Sequence, residues 1–210
     1  MSERSLFPLA GLLLLAASTC SAQQFNADIV RLKPAGGVTT RVSVKGDRAR
    51  MEVLGQSTKS YVLLDLSKRQ SIMVLPDTKT YIVSPPGRIS SSVPMVRIGN
   101  PDEACVDWVK DVSNAGECKK IGDDDWNGRK TVKYTATASN GDTGTVWIDR
   151  ELKVPIKWDG EKSAAEMQNI KLDPIADSLF NLPTDYEKID VAAKRESQRG
   201  KKKPPMPPRN

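Results

Sequence analysis

The chain has 210 residues, 38% of them hydrophobic, a formal net charge of +6 and no histidine. A length near this is one domain's worth, since about 100–200 residues is the usual domain size. Without an imidazole the commonest general base is missing, so no Ser-His or Cys-His nucleophile can be assembled, and no enzymatic activity or cofactor is expected.

The location of the charge narrows the partners further. Residues 191–210 carry seven bases (Lys194, Arg195, Arg199, Lys201, Lys202, Lys203 and Arg209) against one acid, Glu196, which is the whole excess of +6. A protein that holds polyphosphate on its folded surface carries a basic face. This chain has a basic tail on a neutral body, so nucleic acid is not an expected partner.

The first 22 residues read as an export signal. An apolar run over 6–17, centred on Leu12 to Leu15, is followed by the small residues Ser18, Thr19, Ser21 and Ala22. The run is too short to span a bilayer, which needs about 20 apolar residues. Cleavage after Ala22 leaves a protein exported, most simply, to the periplasm of a Gram-negative bacterium. Lipidation of Cys20 is the alternative and would tether it to a membrane. Either way Cys105 and Cys118 remain, and two cysteines in an oxidising compartment are expected to form a disulfide.

Alternation of apolar and polar residues predicts strands over 26–32, 40–45, 48–54, 61–66, 70–75 and 79–83. Gly36-Gly37, Gly46-Asp47, Gly55 and Pro76-Asp77 punctuate them, which is the pattern of an antiparallel meander. Residues 84–100 contain Pro85, Pro86, Pro94 and Ser90 to Ser92 and read as a long connection. Pro101, Asp102, Glu103 and Ala104 then open a short helix, with Pro and acids suiting its first turn. Cys105, Trp108, Val109 and Val112 are expected on one side of it, before Gly116.

Strands resume over 129–137, 143–149, 154–158 and 164–172, with hairpin signals at Asn127-Gly128 and Asn140-Gly141. Asp173-Pro174 leads into a helical turn through Ile175, Leu179 and Phe180, closed near Pro183. From residue 191 the basic Pro-rich ending reads as disorder. Lys201, Lys202 and Lys203 would serve as a contact for an anionic membrane or cell wall, or else remain solvated. Asp123, Asp124, Asp125, Asn127 and Gly128 imitate the first half of a calcium loop, but Tyr134 stands where the bidentate Glu belongs. A hairpin turn explains the same residues, and no metal is assigned.

The stretch from Phe25 through Gly46-Asp47 into Arg50-Met51-Glu52 resembles the opening of the exported lipoprotein-carrier-like superfamily (LolA/LolB/RseB-like half-barrels). The Tyr61 to Tyr81 segment, with Met73 and then Lys79-Thr80-Tyr81, continues the resemblance. So does the ending, from Glu166-Met167-Gln168-Asn169-Ile170 through Phe180 and Pro183 to Tyr186. It is most similar to an uncharacterised branch and covers nearly all of residues 23–190.

The resemblance implies a mainly β fold with short helices (α+β): a strongly curved antiparallel sheet, an incomplete barrel, with helices over its concave face. It further implies a non-catalytic role holding a lipid acyl chain or lipidated peptide, so lipid or lipoprotein is the expected partner. Met51, Val53, Val62, Leu64, Met73, Val83, Trp147 and Trp158 are the candidate lipid-binding residues; ordinary core packing is the competing reading for each. Arg50 is the nearest match to the carrier's lid-holding Arg. The Cys105–Cys118 insertion and the cationic tail depart from the carrier pattern. A second reading is therefore an interaction or sensor domain that docks another envelope protein. The oligomeric state is not specified.

Overall fold

The computed structural model describes residues 23–34, 37–84, 95–112 and 115–190. Residues 1–22 with Cys20, most of the 84–100 connection and the tail with Lys201, Lys202 and Lys203 lie outside the described residues. Twelve strands form one sheet: β1 (Gln24–Lys33), β2 (Thr39–Lys45), β3 (Arg48–Val53), β4 (Tyr61–Asp65), β5 (Gln70–Leu75), β6 (Thr80–Val83), β7 (Cys118–Trp126), β8 (Arg129–Thr137), β9 (Thr143–Asp149), β10 (Pro155–Gly160), β11 (Ala164–Lys171) and β12 (Glu187–Lys188). Their order is β12-β6-β5-β4-β3-β2-β1-β11-β10-β9-β8-β7. The sheet is open and curved, as the resemblance implies. Two meanders, β1 to β6 and β7 to β11, join where β1 pairs antiparallel with β11.

Local chemistry explains most of these turns. Asn127 (φ 49°) and Gly128 (φ 77°) both have the left-handed conformation that a tight hairpin requires, so the pseudo-calcium loop is a β7–β8 turn. Its acids belong to strand β7 and are ion-paired: Asp123 with Arg150, Asp124 with Lys133, Asp125 with Lys130. The Asn140-Gly141 turn is wider than a two-residue hairpin. Gly141 has positive φ there, and the Asn140 side chain accepts a hydrogen bond from the Asp142 amide. Strand β7 is an edge. Its Lys119, Lys120 and Asp123 to Asp125, with a register shift between Lys120 and Gly122, discourage further strand pairing.

Register defines two faces. Val42, Met51, Val62 and Met73 lie directly across from one another and share the inner face. Ser43, Arg50, Leu63, Ile72 and Val83 share the outer one. Phe25, Ala27 and Ile29 continue the inner face through β1, where they and Met167 form a buried cluster with Val44, Leu64 and Met95.

One helix is present among the described residues, α1 (Ala104–Asp111), and it covers the inner face of β8 to β10. Its Trp108 stacks on Trp158 with ring centroids 6.0 Å apart, and its indole nitrogen donates to the Thr137 carbonyl. Tyr134 fixes the helix start, donating its hydroxyl proton to the Pro101 carbonyl and accepting from the Ala104 amide. Val109 departs from expectation: it is 57% exposed, because the eight-residue helix turns only Ala104 and Trp108 fully inward.

The helical turn at Asp177–Phe180 also departs from expectation. It lies on the outer face, where residues 175–189 form a strap. Lys45 and Arg48 bind Asp177, and Leu182 and Tyr186 pack on Tyr61, Leu63 and Val74. The strap ends in β12, which pairs parallel to β6.

Cys105 and Cys118 are bonded, tying α1 to the start of β7 across 13 residues. Closing a loop of this size stabilises by about 3 kcal/mol. The Cys105→Ser/Cys118→Ser protein is expected to melt roughly 6–12 °C lower, at about 2–4 °C per kcal/mol for a chain of this size. Scanning calorimetry reads this directly, and an unchanged midpoint would mean that α1 is held by packing alone.

Candidate binding groove

The inner face is not covered everywhere. A groove of about 710 Å³ lies on it, within the roughly 300–1,000 Å³ of small-molecule sites. Its floor is apolar and comes from alternate residues of β3 to β5: Met51, Val53, Val62, Leu64 and Met73. Val38 adds a further apolar side chain from the β1–β2 connection. The opposite wall is made by Asn140 of the β8–β9 turn and by Ser163 and Ala164 at the β10–β11 turn.

This lining reveals the curvature. Met73 of strand β5 and Ala164 of strand β11 both line the groove, and these strands are five steps apart in the sheet order. In a flat sheet they would be about 24 Å apart, at about 4.8 Å per step. A single groove touches both because the sheet curls around it.

Five of the eight expected lipid-binding residues meet here, and three do not. Val83 lies across from Ile72 on the outer face, one residue out of phase with Met73's partner Ile82. Trp147 also faces outward. It lies across from Lys157, whose ammonium sits 3.3 Å from the centre of the Trp126 ring and 4.5 Å from that of Trp147. The lysine stem and its charge shield this indole pair. Trp158 is on the inner face, lying across from Ala165, but it is 1% exposed beneath α1 and belongs to the core.

Arg50 points away from the groove. Its guanidinium lies 3.5 Å over the Tyr61 ring, pairs with Glu52 and donates to the Leu179 carbonyl. It holds the outer strap. A residue next to an inner-face Met on a strand must face outward, so alternation alone already separates Arg50 from Met51.

Within the groove Leu64 is 4% exposed and forms packed floor, whereas Met73 is 45% and Val38 42% exposed. Sequence reading missed Val38, Arg31 and Lys33. The last two lie near the end of β1. Alternation with Phe25, Ala27 and Ile29 could have placed Arg31 on the inner face, but a β-bulge between Arg31 and Lys33 breaks the period before Lys33.

The far wall is rigid. Asp142 is fully buried and accepts hydrogen bonds from the Lys162 and Ser163 amides and the Ser163 hydroxyl at 2.7–2.9 Å. The same hydroxyl accepts from the Trp158 indole at 3.1 Å. Gly160 makes this possible, since a Cβ there would lie 2.4 Å from the Asp142 carboxylate. Burial pushes the Asp142 carboxyl up, but the amide and hydroxyl donors outweigh it and hold it below the ordinary 3.8. A lowered folded-state value contributes stability that is present above pH about 4 and lost as pH falls through it. Asp142→Asn is therefore expected to be clearly less stable than the parent at pH 7, with the gap narrowing toward pH 3. Urea melts at the two pH values test this; an equal gap at both would show that the carboxylate charge is not what the wall uses.

The described residues define a class: an open, curved antiparallel half-barrel, with one helix on its inner face and a groove beside it. No protein-family profile and no curated protein sequence matches the chain. Solved structures do share its fold. An uncharacterised conserved protein from Thermus thermophilus overlays with a TM-score of 0.50 at 12% identity, over 80% of this chain and 90% of that one. PNGF-II overlays with a TM-score of 0.52 at 11% identity, over 83% of this chain but 33% of the PNGF-II chain. The Pseudomonas aeruginosa MucA/MucB complex is a looser match, at a TM-score of 0.45 and 14% identity over 80% of this chain and 59% of that one. At identities this low, the two overlays at a TM-score of 0.50 or more show a shared fold alone.

Proposed function

We propose that the protein is a non-catalytic binding module of the cell envelope that holds a lipid acyl chain or lipidated peptide in the inner-face groove. The observation that carries this is the pair of large apolar side chains left open to water, Met73 and Val38, on a floor of Met51, Val53, Val62 and Leu64. An apolar concavity that the described residues leave open gains about 25 cal/mol per Å² when a ligand covers it. In this reading residues 1–22 direct export and residues 23–190 form the binding body.

Protein purified from its host should release a stoichiometric lipid on organic extraction, read by mass spectrometry. Met73→Asp and Val62→Asp, which place a charge on the floor, should each weaken binding of a fluorescent acyl probe at least about tenfold, the penalty of burying an unpaired carboxylate. Empty protein that ignores the probe would sink the proposal.

The tail supports an accessory role at an anionic membrane or cell wall, since each basic residue near such a surface contributes about 1 kcal/mol. Deleting residues 191–210 should then reduce retention on phosphatidylglycerol vesicles and leave probe binding intact. Equal retention of both proteins would make the tail a solvated end.

A further inference from the structure

We infer that the groove selects single-chain amphiphiles with an anionic headgroup, and that Arg31 and Lys33 read that charge. This rests on the acyl-binding reading above and adds the chemistry of the head. Among the described residues that line the groove, Arg31 and Lys33 are the charged ones, and no carboxylate lines it. The body as a whole is neutral, so two cations beside one apolar floor are a local asymmetry in the protein's charge. A β-bulge between Arg31 and Lys33 interrupts the alternation of β1, and both residues line the same end of the groove.

Both side chains are positioned. Gly37 of the β1–β2 connection packs over the Arg31 stem: a Cβ at Gly37 would lie 2.5 Å from the Arg31 Cβ and 2.7 Å from its Cγ and Cδ. The guanidinium is thus carried on a stem confined by backbone. The Lys33 ammonium donates to the Gly160 carbonyl at 2.9 Å, on the far wall, and an ammonium has three donors. Asp159 stands 4.0 Å from it, with both side chains about half exposed, so its screening of Lys33 is weak. An acyl chain laid on Met51, Val62 and Met73 can therefore place its head between β1 and the β10–β11 turn. There Ser163 and Asn140 line the same wall. The groove volume, about 710 Å³, is that of a site for one drug-sized ligand, which suits one chain with its head.

Equilibrium dialysis of the full-chain protein against palmitate, lysophosphatidic acid and neutral monopalmitoylglycerol tests the inference. At least one anion should bind about tenfold or more tighter than the neutral lipid, as charge-assisted contacts allow, and the preferred anion identifies the head. Arg31→Gln/Lys33→Gln should bring the anions down to the affinity of the neutral lipid and leave that lipid's own binding unchanged, which also reports that the groove is intact. Arg31→Lys/Lys33→Arg should retain the preference. Equal affinity for charged and neutral lipids, or a double Gln variant that binds the anions like the parent, would overturn the headgroup inference while the acyl groove stands. Failure of all three lipids to bind would remove the groove reading and this inference with it.

Discussion

A twelve-strand sheet that does not close has two large faces and two edges to protect from water, and this chain has only one eight-residue helix among its described elements with which to do so. Most of the structure follows from how that shortage is met. Curvature brings strands five places apart within reach of a common groove, so the inner face shields part of itself. On the β8 to β10 side, α1 finishes the task, pressed down by the Trp108–Trp158 stack and the Tyr134 hydroxyl and tied at its start by the disulfide. Over β1 to β4 the cover is Met95, which joins Phe25, Val44 and Leu64 in the larger core cluster.

The outer face is met with different chemistry. Over β3 to β6 a strap of chain is laid down and held by cations whose stems also pack: Lys45 and Arg48 on Asp177, Arg48 over Phe180, Arg50 over Tyr61. Over β7 to β10 no strap is needed, because Lys157 lies across Trp126 and Trp147 and Lys133 pairs with Asp124 beneath. Long cationic side chains cover apolar surface with their methylenes while keeping their charge in water. The same habit on the inner face has a different result. Arg31 and Lys33 stand at the wall of a groove that nothing in the described chain fills.

The strands were legible because alternation with period two is a strong signal when one face is buried and turns are marked by Gly, Asn and Pro. Thus β5, β8 and β9 begin and end where periodicity places them. Strand β7 was harder to see. Its Lys119, Lys120 and three consecutive Asp residues hide alternation behind the charges an edge strand needs, and its register shift near Ile121 breaks the period. Strand β12 has two residues and exists through its pairing with β6, which no local pattern can announce.

By itself the sequence determined an antiparallel β body, the pairing of Cys105 with Cys118 and the helix that carries Cys105. These are local properties of periodicity, turn chemistry and thiol placement. The curved half-barrel and five of the groove's apolar floor residues came through the resemblance. Which apolar residues stay open was a matter for tertiary structure. Met73, Val83, Trp147 and Trp158 are equally apolar as letters; one lies open in the groove, two face outward and one is buried under α1, because curvature, register and covering segments are set by residues far away in the chain. The same holds for charge. Alternation puts Arg31 and Arg50 on opposite faces, but only the order of strands and the bulge before Lys33 decided that Arg31 and Lys33 line one groove while Arg50 holds the strap behind it.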